Sequence, residues 1–414
     1  MTYDFSIIDP EYSLPSLYES QLRHARFYLD SLEQTDALYV QGGLALHQAA
    51  SLFALNRDNI RAGQAWAEQY INEDDEAASL CCSYPLSGNH LLTLLQHPRE
   101  SLIWATAALK AAQQLNDTAL EGFHYGCLGT SYANLGDTKR AIDGFKQSLK
   151  IARKLKDCES EAGALYNLGT AWITAGEPQR AIRYLRKSLA IGLATGDRRN
   201  ECDVLGSLGQ CYEATGKLRR AIKCAEQQLT LAKDLGNRRA EGAAFGSLGA
   251  MYSQLGAPDR AIGFHEQHLL IARDIGDRYG ESISLGNLGI SYYLLGDMER
   301  ALTCHQQDLA IAQDIGDRRS EGQALGNMAM VYLEQGEIEQ AIEFYNRFLV
   351  IACEVHDRDS QAVAHFNLAI ILDRFGKRQQ AIFHIEAALV IFEAMDSPDA
   401  PIAHERLAQW RAEE

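Results

Sequence analysis

The chain is short of positive charge. Its 414 residues hold 39 lysines and arginines against 55 acids, a formal charge of −16, and no lysine precedes Lys110. The first hundred residues alone carry 14 acids and 5 bases. Nucleic acids and anionic membrane surfaces are bound by clustered Lys and Arg, so this balance argues against both as partners. Long apolar runs are missing too, and no segment reaches the ~18 uncharged residues that a bilayer crossing needs. Residues 1–20 offer no basic flank and no apolar stretch, which predicts no signal peptide. The nine cysteines are odd in number and without framework spacing, and none of the repeat-array pairs is spaced to bridge neighbouring units. They predict reduced thiols in a cytoplasmic protein.

Catalytic signatures are equally scarce. No G-x-x-x-x-G-K-[ST] stretch occurs, since Gly216-Lys217 and Gly376-Lys377 are followed by Leu218 and Arg378. There is no G-x-S-x-G elbow, and HEQH at 265–268 is one residue short of the H-E-x-x-H metalloprotease helix. The best metal candidates are His265, His268 and His305. Position 265, however, belongs to an apolar stripe where Phe145 and Tyr345 stand in other copies, so a packed ring is expected instead. The sequence predicts no enzyme, no cofactor and no metal.

What is present is a forty-residue ruler. Stepping by 40 from Ala141 lands on Ala181, Ala221, Ala261, Ala301, Ala341 and Ala381. Gly136 leads in the same way to Gly376, and Leu149 to Leu389. Each copy encodes two helices. In the first, Leu285, Leu288, Gly289 and Tyr292 fall at i, i+3, i+4 and i+7, the stripe of an amphipathic helix. Ala301, Leu302, His305 and Leu309 mark the second. Gly296 sits where a helix-ending glycine belongs, Asp297 can cap the next helix, and Pro178 and Pro258 occupy first-turn positions in their copies. None of the eight prolines falls inside a predicted repeat helix.

Leu288-Gly289, Tyr292, Gly296 and Ala301 resemble the L-G-x-x-Y…A core of the tetratricopeptide repeat. That unit is usually 34 residues and ends with proline; here the period is 40 and no proline closes the second helix. The chain is similar to the long-repeat variety found in kinesin light chain and in bacterial signalling proteins. The resemblance implies an all-α fold, a right-handed superhelical α-solenoid of helical hairpins. Seven regular copies are expected over 118–396. Residues 1–117 read as a degenerate helical region, with breaks expected at the NRD of 56–58 and the NEDD of 72–75. Residues 397–414 read as a capping helix. The run from Arg57 to Asp117 is similar to the start of the repeat sensor in NB-ARC-class signalling ATPases, with the ATPase absent.

On the first helix of each copy, the positions equivalent to 283, 287, 290 and 294 lie opposite the Leu-Gly-Tyr stripe. Over seven copies they supply 28 residues, of which only Asp203, Glu334 and Arg374 are charged. A solvated face should exceed the chain's 23% of charged residues, so this one is expected to meet a partner. In the resembled family it lines the concave groove. The candidate contacts are the amides of Asn167, Asn287, Asn327 and Asn367, the aliphatic Ile283, Ile290, Leu294, Met330, Val363 and Ile370, the rings of Tyr166 and Phe366, and Arg374. The expected partner is a protein or peptide segment, held by a non-enzymatic scaffold that serves as sensor or adaptor in bacterial signalling or defence. Two alternatives remain: a Rap-like peptide-pheromone receptor acting on a response regulator or transcription factor, and a self-associating structural spacer. The opening twenty residues are a candidate for folding back into the groove.

Overall fold

The structure, a computed structural model, describes residues 15–41 and 44–412. The proposed fold-back segment, apart from its last few residues, lies outside them. Turn chemistry sets the helix ends. Asp277 accepts the Gly280 backbone N–H at 2.9 Å, and Asp297 accepts that of Arg300 at 3.0 Å. Each carboxylate satisfies an N–H that has no partner within its helix, worth about 1 kcal/mol. Gly296 ends the preceding helix at φ +80°, where a side chain would be strained. Pro178 and Pro258 stand in the first turns of their helices, as expected.

The chain divides into two compact units, residues 1–216 and 217–414. The first contains α1 (Leu17–Gln41), α2 (Leu44–Gln69), α3 (Asp75–Ser87), α4 (Asn89–Leu95), α5 (Pro98–Gln114), α6 (Thr118–Asn134), α7 (Thr138–Leu155), α8 (Cys158–Thr174), α9 (Pro178–Thr195) and α10 (Arg198–Ala214). The second contains α11 (Leu218–Asp234), α12 (Arg238–Gln254), α13 (Pro258–Asp274), α14 (Arg278–Leu294) and α15 (Met298–Ile315). It continues with α16 (Arg318–Glu334), α17 (Ile338–Glu354), α18 (Arg358–Arg374), α19 (Arg378–Ala394) and α20 (Ala400–Ala412). Among the described residues there is no strand, and within each unit successive helices pack on one another. The fold is an all-α solenoid of hairpins. No described helix is long and apolar enough to cross a membrane.

Packing explains the repeat signature. Leu285, Leu288 and Tyr292 of α14 are buried, each contributing about 1.5–3 kcal/mol by leaving water. Gly289 allows α15 to approach: a Cβ there would stand 2.4 Å from the His305 ring, and one on Gly249 2.4 Å from His265. Where the ring is Tyr345, the facing position is Ala329, also fully buried.

Two devices run along the surface without having been read from the pattern. Arg278 donates to Glu281 at 2.6 Å and to Asp314 at 3.2 Å, clipping the open end of its hairpin. Arg238 does the same with Glu241 and Asp274. Across the closed end, Arg140, Arg180, Arg260 and Arg300 lie over Tyr132, Trp172, Tyr252 and Tyr292, with guanidinium carbons 4.0–4.7 Å from the ring centres. Such exposed cation–π contacts are individually weak.

One expected break is absent. Helix α2 runs straight through Asn56-Arg57-Asp58, because tertiary partners outweigh local propensity. Asn56 donates to Ser31 at 3.4 Å, and Arg57 and Arg61 both pair with Glu100 on α5. The second break occurs where expected, with Asp74 capping α3.

Candidate functional site

Once the Leu-Gly-Tyr stripe is buried, the opposite side of a first helix must face solvent or a partner. On α14 that side is apolar apart from Asn287. Ile283, Ile290 and Leu294 on α14 are 38%, 40% and 56% exposed, well above the core residues one turn away. Met330 on α16 and Val363 on α18 are exposed as well, and Ile370 is half-buried. Helices α14 and α16, which carry Ile283, Asn287, Ile290 and Leu294 and Asn327 and Met330 respectively, contact each other.

Asn287, Asn327 and Asn367 are half-buried between these aliphatic positions. Their side-chain amides have no hydrogen-bond partner within the described residues. Each offers two N–H donors and one carbonyl acceptor, the complement of an extended peptide backbone. Arg374 is exposed at the end of α18. Phe366 is half-buried, its ring edge-on to Phe392 at 6.1 Å, so much of it belongs to the core.

Asn167 and Tyr166 lie in the first unit. Tyr166 is half-buried on α8, and burial raises its phenol pKa while the Ser207 hydroxyl beside it opposes that shift. Asn167 lines a recess of about 450 Å³ among α3–α8. The sequence reading did not find this recess. Its signal is a pair of small residues, Gly126 and Ser148, on facing helices.

His265 and His305 are 1% exposed, pressed onto Gly249 and Gly289, and burial pushes both down to about 4. Among the described residues, no three His, Cys, Asp or Glu side chains converge as a metal site would require. None of the nine cysteines is disulfide-bonded, and burial raises the pKa of those inside, Cys81 to about 12. A thiol held protonated in this way is a poor nucleophile.

The tetratricopeptide repeat family profile matches residues 120–194, 162–234, 200–274, 241–314, 280–354 and 320–394. No curated protein sequence matches significantly. Among solved structures, the chain is similar to the apo quorum sensor NprR of B. thuringiensis, with TM-score 0.62 and 12% identity over 90% of this chain and 99% of that one. It is also similar to a signal transduction ATPase with numerous domains and a tetratricopeptide repeat sensor, from Pyrococcus horikoshii. That match has TM-score 0.60 and 15% identity, over 93% of this chain and 67% of that one. Aspartyl phosphate phosphatase F of Bacillus subtilis gives TM-score 0.56 and 12% identity, over 92% and 95%. At these identities the likeness is one of fold.

Proposed function

The chain belongs to the tetratricopeptide repeat family, and from that premise we propose that it is a non-enzymatic scaffold whose second unit binds a protein or peptide segment. The segment lies along α14, α16 and α18. One observation carries this reading: exposed Ile283, Ile290, Leu294, Met330 and Val363 flank Asn amides that have no partner among the described residues. The aliphatic side chains supply affinity by leaving water, and the amides fix the backbone of the bound segment. Since the face is nearly free of charge, the ligand is a mixed polar and apolar stretch, and it is not selected by its own charge. The role that fits is that of a sensor or adaptor in bacterial signalling or defence.

A second reading takes the ligand to be a short signal peptide, as in Rap-like receptors. It draws support from the length over which the quorum sensor's fold is shared. A secreted-peptide fraction that raises the melting temperature by several degrees would favour it. A self-associating spacer is the third reading, and light scattering separates it from the other two.

The test uses peptides selected from a random library on the full chain. Calorimetric affinity should fall about tenfold or more in the Asn287→Ala/Asn327→Ala double variant, two lost hydrogen bonds at about 1 kcal/mol each. Unchanged affinity removes the amides from the site.

A further inference from the structure

The second position of contact inside each hairpin follows a rule of size. It pairs the residue equivalent to 126 on the first helix with the residue equivalent to 148 on the second. Where the second is large the first is glycine. A Cβ on Gly246 would stand 2.9 Å from His268, one on Gly286 3.0 Å from Asp308, and one on Gly326 3.2 Å from Phe348. Where the second is small the first is a ring: Tyr166 accompanies Ser188, and Phe366 accompanies Ala388. The hairpin of α6 and α7 breaks the rule. Gly126 faces Ser148, and a Cβ on Gly126 would meet nothing nearer than the Ser148 hydroxyl at 3.6 Å. On the next helix, a Cβ on Gly163 would meet nothing within 4 Å. The missing volume is the recess of about 450 Å³, inside the range of small-molecule sites.

The lining defines what would fill it. Trp104 and Phe123 supply rings, and Gln96 supplies an unsatisfied donor. Gln96 is 7% exposed, and its Oε1 accepts the Ser101 hydroxyl at 2.9 Å, while its Nε2 is buried without a partner among the described residues. A buried N–H₂ left unpaired is destabilising, and a ligand acceptor would relieve that cost. Among the described residues, no Lys, Arg or His lines the recess. Its one acid, Asp157, is occupied in capping α8, accepting the Glu159 and Ser160 backbone N–H groups and the Ser160 hydroxyl.

We propose that this recess in the first unit is a binding site for a small uncharged molecule that combines a flat ring system with a carbonyl or amide acceptor. The ring packs between Trp104 and Phe123, and the acceptor takes the Gln96 amide. All residues lining the site belong to the first unit.

Three probes of one shape test it on the full chain by ligand-observed NMR titration: 2-naphthamide, 2-naphthoate and 2-naphthylmethylamine. The amide should saturate, with the anion and the cation weaker by about tenfold or more, since neither charge finds a counterion. Ser148→Phe recreates the Gly326–Phe348 pairing within α6 and α7. It should leave the melting temperature intact or higher and abolish amide binding. Should Ser148→Phe fail to fold, Gly163→Ile fills the same space from α8, imitating Ile283, and should give the same loss. Gln96→Met should keep ring binding and erase the preference for the amide. Equal binding of the three probes, no saturable binding of the amide, or binding that survives the filled recess would each overturn the proposal. None of these results bears on Asn287 or Asn327, so the peptide reading stands or falls separately.

Discussion

At pH 5.5, unfolding should consume about one proton fewer in His305→Phe than in the wild type. The His305 ring is 1% exposed, its Nδ1 has no partner, and burial holds its pKa at about 4. Unfolded, the imidazole returns to about 6.5. Between these values the unfolded chain binds a proton that the folded chain refuses, so stability rises with pH through the window from 4 to 6.5 and is lost on acidification. Linkage puts the penalty at pH 5.5 at about 1.4 kcal/mol, with about 0.9 proton taken up. Asp308, one turn further along α15, acts in the opposite sense. Burial raises its carboxyl to about 6, so the folded chain keeps a proton that the unfolded chain releases, about 0.7 at pH 5.5. The difference between wild type and variant cancels this contribution. Phenylalanine fits the site, because Phe145 occupies the same register against Gly129. Denaturant unfolding in weak buffer at pH 5.5, with the proton uptake titrated back, reads the difference without assuming two states. A difference below about 0.3 proton would refute the reasoning from burial.

Other outcomes follow from the same packing. Gly289→Ala places a methyl 2.4 Å from the His305 ring and should cost about 1–3 kcal/mol in chemical denaturation. Leu288→Ala, at a 3% exposed position, should cost about 2–5 kcal/mol in the same assay. Arg278→Ala removes a half-exposed ion pair with Glu281 and Asp314, and should leave stability nearly unchanged in the same assay, with any loss smaller still in high salt.

The repeat was legible because its signals are local. A glycine that must take positive φ, an aspartate that caps and a Leu-Gly step on one helix face all act within a few residues. The helical stretch at Asn56-Arg57-Asp58 was not legible, since its partners Ser31 and Glu100 are far away in sequence. The uncharged face is an expectation from period and composition, and Ile283, Ile290 and Leu294 on it are exposed. The half-burial of Phe366 against Phe392 was not visible, because it depends on how α18 meets α19. Nor was the recess, which arises from two small side chains 22 residues apart, Gly126 and Ser148, whose facing becomes evident only when the hairpin closes. The stacked arginines escaped for a related reason: Arg300 covers Tyr292 by folding back over a turn.

The most direct test of peptide recognition places charge on the apolar face and, as a control, elsewhere. A library-selected peptide would be titrated against wild type, Ile290→Asp, Met330→Asp and Gln267→Asp, the last on an exposed position of α13. The account predicts a loss of about tenfold or more for each face variant, no change for Gln267→Asp, and wild-type affinity nearly independent of salt. Equal affinities for all four proteins, or a wild-type affinity that collapses with salt, would contradict it.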